Sequence, residues 1–174
     1  MALFIDELAE KKDRIVVDLR LSKILEELAK TKKAKIVRSR VGHTFLSRIM
    51  RKKKALLGGE LSGHYYFREN YYADSALLTT LKVLNILSKN KKPLSLLVKK
   101  FQKTFLSDEI NFEVEDKEKV LKKFKQFEGK KNYLDRVRVV CEDYRFNVRK
   151  SITQNLIRFR GEAESMAELK ETIN

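Results

Sequence analysis

Six consecutive residues, Gly59-Glu60-Leu61-Ser62-Gly63-His64, set a carboxylate, a hydroxyl and an imidazole among glycines. An ionised carboxylate only accepts hydrogen bonds, and Glu60 can take them from two sugar hydroxyls at once. Ser62 can donate or accept. Histidine is the side chain that changes charge near neutral pH, which suits His64 to proton movement. Glycine tolerates positive φ and lets a ligand come close to the main chain. Three of the chain's six glycines, Gly58, Gly59 and Gly63, lie here, and Gly42 is close upstream. A hairpin turn whose polar side chains satisfy only its own backbone would use the same residue types. The chain's two histidines, His43 and His64, each directly follow a glycine. Both fall near predicted strand ends, where ligand sites gather in α/β sheets.

The surrounding elements must hold these groups. Ala55-Leu56-Leu57 runs into the glycines with strand character, and Tyr65-Tyr66-Phe67 runs out of them. Upstream, residues 2–11 have a helical pattern with Leu3, Phe4, Leu8 and Ala9 on one side. Ile15 to Leu19 reads as a short buried strand. Ser22 can cap a helix with the stripe Ile24, Leu25, Leu28 and with Glu26 and Glu27 in its early turns. Ala34 to Val37 is a second strand. The helix after Gly42 carries Phe45, Leu46 and Ile49 and ends in the basic run Arg51 to Lys54. Strand–helix–strand–helix–strand order predicts an α/β layer with parallel strands.

Downstream, Asp74 and Ser75 start a long helix through Asn90, with Leu77, Leu78, Leu81, Leu84 and Leu87 as its expected buried side. Pro93 breaks it and suits the first turn of another helix through about Phe105. The character changes near Ser107-Asp108. Residues 109–115 alternate with period two, as in a half-buried strand, and 117–127 form a basic amphipathic helix. Three strand-like runs follow at 136–142, 144–149 and 155–160, then a helix at 165–173. The expected architecture is a three-layer α/β domain with a mixed sheet over residues 1–106, then a small α+β domain over 107–174.

Composition narrows the function classes. The net charge of +15 would suit a nucleic-acid binder, since cations displace counterions from phosphates. The lysines, however, interleave with apolar positions, as in Val120-Leu121-Lys122-Lys123-Phe124-Lys125, which is the pattern of a solvated helix face. No zinc spacing or aromatic RNA-binding signature accompanies the charge, which argues against that class. The same charge suits a protein that binds a phosphorylated sugar. No apolar run approaches a membrane span, and Met1 to Glu7 has too little apolar length for a signal peptide. The single Cys141 cannot form an internal disulfide, which agrees with a reducing cytoplasm, and its apolar surroundings mark it as core filler.

Gly59 to His64 resembles the sugar-recognition loop of the α-D-phosphohexomutases, the phosphoglucomutase/phosphomannomutase family. Arg40-Val41-Gly42-His43 before it and Tyr71-Tyr72-Ala73-Asp74-Ser75 after it resemble the family's flanks in the same order. The resemblance runs from about Asp18 to the C-terminal helix and covers the last two of the family's four domains. It implies phosphate transfer between the 1- and 6-hydroxyls of a hexose, with the sugar held in two opposite orientations. Glu60 and Ser62 would hold the 3- and 4-hydroxyls. His43 and His64 would line the sugar site and help proton movement, and Arg20 and Arg40 would face the substrate.

The family's phosphate-binding loop, usually Arg-x-Ser-(Gly/Asn)-Thr-Glu-Pro, resembles Arg149-Lys150-Ser151-Ile152-Thr153-Gln154-Asn155. Arg149, Ser151 and Thr153 match, a guanidinium fork and two hydroxyls suited to phosphate oxygens. Ile152 stands in place of the Gly/Asn and resists positive φ; Lys150 offers partial compensation. Asp135-Arg136-Val137 stands where the family usually has Asp-Gly-Val. The Ala-Ser-His-Asn-Pro-like loop of the phosphoserine and the Asp-x-Asp-x-Asp-Arg-like metal loop do not occur. The resemblance therefore implies a chain without a cofactor or metal ligand of its own, inactive alone, binding a hexose 1- or 6-phosphate. A missing N-terminal half would carry the phosphoserine and the Mg²⁺ of the complete family enzyme, this chain being a truncated form, a gene fragment or one piece of a split enzyme. A non-catalytic phosphosugar-binding or regulatory module with the same fold is the alternative.

Overall fold

Arg14–Asp18 forms β1, buried at every position but the first. Its neighbours explain why. Lys35–Ser39 (β2) and Leu57–Gly59 (β3) flank it, both parallel to it, so Ile15 and Val17 point to one covered face and Val16 to the other. The sheet turns mixed at β3. Tyr65–Phe67 (β4) and Ala73–Asp74 (β5) add antiparallel strands, giving the order β2-β1-β3-β4-β5. One face packs against α1 (Ala2–Leu8), α2 (Ile24–Thr31), α4 (Ala76–Asn90) and α5 (Leu94–Lys99) through Phe4, Ile5, Leu25, Ile86 and Leu97. The other is covered by α3 (His43–Lys53), with Leu46 and Met50 against Val16 and Tyr66. This is the three-layer α/β architecture predicted.

The computed structural model describes residues 1–133, 137–151 and 154–173 and divides into two compact units, Met1–Gln102 and Lys103–Asn174. In the second, all strand pairings are antiparallel: Phe105–Leu106 (β6), Tyr144–Lys150 (β10), Val137–Val140 (β9) and Lys130–Asn132 (β8) lie in the order β6-β11-β10-β9-β8, with β11 being Leu156–Ala163. Ile110–Glu113 (β7) pairs along β11 as well. Val139, Phe146, Val148, Ile157 and Phe159 form a core under α6 (Lys117–Phe124), whose Leu121 is buried among them. Alternation along the strands therefore sends Arg149 and Arg158 to the face away from that core. Asp116 caps α6, its carboxylate accepting from the Glu118 and Lys119 amides. The chain closes with α7 (Met166–Ile173).

Several local expectations are corrected. In α4, Ser75 caps as predicted, its Oγ accepting from the Leu78 amide, but Leu77, Leu81 and Leu84 are more than half exposed. The helix packs through Leu78, Val83, Ile86 and Leu87, a stripe rotated from the leucine-rich one, because leucine count does not decide which face meets the sheet. Pro93 precedes α5, which stops at Lys99, so Phe105 is in strand, not helix. Strand β7 lies on the free edge of β11, with Phe112 exposed. Cys141 is half-buried beside the second core, its Sγ donating to the Glu128 carbonyl. Ile152, Thr153 and Asp135-Arg136 lie outside the described residues.

Candidate functional site

Three parallel strands end at the same edge of the first sheet, and the loops leaving them are laced together by carboxylates. Asp18 closes β1 with its side chain fully buried. Its Oδ1 accepts from the Arg20 amide at 2.7 Å and its Oδ2 from Arg20 Nη2 at 2.7 Å and the Leu61 amide at 2.8 Å. One carboxylate thus fixes both the guanidinium of Arg20 and the backbone of the sugar-type loop. Arg38 on β2 completes the first turn. Its fork takes both oxygens of Glu26, while the remaining donors reach the carbonyls of Asp18, Leu21 and Ser22.

The second carboxylate is Glu60, itself only 6% exposed. Oε1 accepts from the Gly42 amide at 3.1 Å and Oε2 from the Tyr66 hydroxyl at 2.6 Å. Burial raises the Tyr66 pKa strongly, and the bond to Glu60 raises it further, so the phenol stays a donor. A carboxylate has about four acceptor positions, so these two bonds leave capacity for a ligand's hydroxyls. The turn beyond closes with the Glu60 amide donating to the His64 carbonyl and the Gly63 amide to the Glu60 carbonyl. Gly63 has φ +86° with open space where a Cβ would stand, so its requirement is conformational. Gly42, at φ +125°, brings its amide to Glu60 in the same way.

Around this frame the remaining predicted residues are presented outward. Ser62 is exposed on the turn. His64 is half exposed, and its Nδ1 lies 2.9 Å from Asp74 Oδ2. A carboxylate at Nδ1 selects the tautomer with its proton there, leaving Nε2 to accept. His43 opens α3 and is exposed. Arg40 lays its guanidinium over the Phe45 ring at 4.6 Å. Arg20, Arg40, Glu60, Ser62 and His64 therefore sit on loops leaving β1, β2 and β3, and His43 opens the helix that follows the β2 loop.

In the second unit, Arg149 and Lys150 end β10. Arg149 Nη2 donates to Glu109 Oε2 at 2.8 Å, and Lys150 pairs with Glu118. Ser151 is buried, its Oγ accepting from the Gln154 amide at 3.2 Å. Lys117 Nζ braces the two sides of this loop, 3.4 Å from the Ser151 carbonyl and 3.0 Å from that of Gln154. Thr153 lies outside the described residues.

Sequence reading missed the groups that do the positioning: Asp18, Arg38, Tyr66, Asp74, Glu109, Lys117 and Arg158. Asp18 had a local signal, a carboxylate two residues before an arginine in Asp18-Leu19-Arg20. The partners of Arg38 lie 12 to 20 residues away in the chain, so no local pattern shows them.

The family model for phosphoglucomutase/phosphomannomutase, alpha/beta/alpha domain III, matches residues 1–105, and that for the phosphoglucomutase/phosphomannomutase C-terminal domain matches residues 109–174. The chain belongs to the phosphoglucomutase/phosphomannomutase family. A phosphomannomutase of Methanocaldococcus jannaschii is 36% identical over 99% of this chain and 39% of its own length. One from Escherichia coli K12 is 30% identical over 91% of this chain and 36% of its own. The crystal structure of a phosphoglucomutase/phosphomannomutase family protein from Burkholderia thailandensis superposes with TM-score 0.85 at 26% identity, over 98% of this chain and 38% of that one. The chain thus spans under two fifths of the length of these relatives. Among the described residues no group of three or more His, Cys, Asp or Glu is placed to hold a metal ion. Among the described residues no helix is long and apolar enough to cross a membrane.

Proposed function

We propose that this chain supplies hexose-phosphate recognition for a phosphohexomutase reaction, the transfer of phosphate between O1 and O6 of a hexose phosphate. In the first unit, Glu60 accepts from two ring hydroxyls, Ser62 adds a third polar contact, and His64 and His43 serve the reacting end of the sugar. Arg20, held by Asp18, and Arg40 supply positive charge to the same edge. In the second unit, Arg149, Lys150, Ser151 and Thr153 bind the phosphate. The phosphoserine and the Mg²⁺ belong, on this reading, to a segment the chain does not span, so the chain alone binds without turnover.

The observation that carries the reading is the buried Glu60 carboxylate, held by Gly42 and Tyr66 with half its acceptor capacity unused. A side chain needed only for turn geometry would not require two anchors from separate elements. Titration calorimetry with hexose 1-phosphates and 6-phosphates tests it. Binding that survives in wild type and is lost in Glu60→Ala is expected. Absence of heat with every phosphohexose would overturn the proposal.

A further inference from the structure

The edge of the first sheet opposite the glycine-framed turn is lined by cations. Strands β1, β2 and β3 are parallel and start together there, Arg14 level with Lys35 and Ile15 level with Leu57, while antiparallel β4 ends beside the start of β3. Lys11-Lys12 lead into β1, Lys33 precedes β2, Arg51 to Lys54 precede β3, and Arg68 directly follows β4. Stretches far apart in sequence thus form one row, in the order β2, β1, β3, β4. Hydrogen bonds tie its turns together. The Lys12 amide donates to the Lys33 carbonyl at 2.9 Å, the Lys35 amide to the Asp13 carbonyl at 2.9 Å, and Arg14 Nη1 to the Lys53 carbonyl at 3.1 Å.

Two features set this row apart from an ordinary solvated surface. The first is conformational. Lys12, Lys33 and Lys54 hold φ of +73°, +54° and +49°, and among the described residues the only other lysine with such a backbone is Lys91. Positive φ is where glycine is the default, so three neighbouring turns carry a charge where local geometry favours none. The second is that the charge is poorly compensated. Of the nearby carboxylates, Asp6 is paired with Lys32 and Lys100 and Glu69 with Lys82. Asp13 accepts from the Glu10 amide and lies 3.9 Å from Arg68. That leaves Glu10 against the exposed Lys11, Lys12, Lys33 and the run Arg51 to Lys54.

The row ends in an aromatic ring. Tyr71, in the turn between Arg68 and β5, is 84% exposed, and Arg51 Nη2 donates to its carbonyl at 3.4 Å. With strands about 4.8 Å apart, the row from the β2 lead-in to Tyr71 spans roughly 20 Å, or about six nucleotides at about 3.4 Å each. A cationic track with an exposed ring on which a base can stack is the make-up of a single-strand binding surface. An anionic bilayer would be attracted by the same charges but needs an apolar wedge to insert. Among the described residues Tyr71 is the one large apolar side chain exposed along this row.

We propose that this edge binds single-stranded nucleic acid, its phosphates laid along Lys33, Lys12, Lys54 and Arg68 and a base stacked on Tyr71. The surface is separate from the phosphosugar site, which lies at the other end of the strands. Fluorescence anisotropy of the whole chain with labelled oligo(U) and oligo(dT) of about 16 nucleotides, over a series of salt concentrations, tests it. The combined variant Lys12→Gly, Lys33→Gly, Lys54→Gly removes three charges and suits the backbone at each position, so it stays folded, which circular dichroism checks. It should bind about tenfold or more weakly, and the slope of log affinity against log salt should fall by about 2, at about 0.7 per lost phosphate contact. Tyr71→Ala should weaken binding about fivefold or more with the salt slope unchanged, because stacking displaces no counterion. The combined variant Lys122→Gln, Lys123→Gln, Lys125→Gln removes the same charge from α6 and should bind almost as wild type. Equal losses in the two lysine variants would reduce the effect to net charge and overturn the proposal. So would a duplex bound as tightly as the single strands, or oligonucleotide binding absent while phosphatidylserine-containing vesicles are retained through the same lysines.

Discussion

Replacing Asp18 by alanine offers the sharpest test of how the first unit is built. Asp18 is fully buried and accepts from three different N–H groups of Arg20 and from the Leu61 amide. Alanine leaves the Arg20 guanidinium, itself only 12% exposed, without its carboxylate, and strands a backbone amide. Breaking a buried ion pair from one side costs about 3–5 kcal/mol, against roughly 5–15 kcal/mol for the whole stability of a domain. For a unit of this size each kcal/mol moves the melting midpoint by roughly 4–8 °C, so the transition of the Met1–Gln102 unit should fall by more than about 10 °C. Asp18→Asn, which keeps the volume and one acceptor, should fall less. A double-mutant cycle with Arg20→Met isolates the pair and should give a coupling of about 2 kcal/mol or more, since both groups are desolvated. The measurement is thermal and urea denaturation followed by circular dichroism. An Asp18→Ala protein melting within about 2 °C of wild type, or a coupling below roughly 0.5 kcal/mol, would refute the claim that this carboxylate fixes the loop.

Tyr66→Phe removes one of the two anchors of Glu60 from a position 1% exposed. It should cost about 1.5–3 kcal/mol in urea denaturation and lower hexose-phosphate affinity in calorimetry; unchanged affinity would mean that Glu60 is held by other means. Burial tends to raise the pKa of Glu109, but its bonds to Arg149 and Arg158 outweigh this and hold it below the ordinary value of 4.5. A depressed folded-state pKa gives stability that is present above that ordinary value and lost as pH falls through the folded one. The stability gap between wild type and Glu109→Gln should therefore narrow as pH drops below about 4.5; a gap constant from neutral pH to strong acid would contradict the pairing.

Much of the first unit was legible because its signals are local. The run Ile15-Val16-Val17 could only be a strand covered on both faces, and Ser75 announced a helix start. The glycine-framed turn stood out because few residue types make it. The packing face of α4 was not legible. Leu77, Leu81 and Leu84 share a helical stripe with period and composition as good as that of Leu78, Ile86 and Leu87, and sequence carries no term for where the sheet lies. In the candidate site, the residues of the glycine-framed turn and its flanks could be named from their motif, whereas their supports could not. Tyr66 is chemically a strand aromatic until the fold places its hydroxyl on Glu60, and Arg158 is one cation among 39 until register sets it opposite Arg149.

That asymmetry bears on how a chain with 39 basic and 24 acidic residues would build the proposed anion and polyol sites. Surplus positive charge spread over solvated helices attracts any phosphate weakly and orients none. Orientation comes where a scarce carboxylate is set against a cation or a donor in a partly dry setting: Asp18 with Arg20, Glu26 with Arg38, Glu109 with Arg149 and Arg158. Each pairing lowers the local net charge, which by itself weakens long-range attraction. Each also removes rotamer freedom from a long side chain before a ligand arrives, which lowers the cost of binding by about 0.5–1.5 kcal/mol per side chain. For a ligand whose sugar ring must be gripped by specific hydroxyls, fixed donors and acceptors contribute more than one further unit of screened charge. The acidic residues of this basic chain are therefore its positioning elements, and substitutions among them should change ligand selectivity more than surface lysine substitutions do.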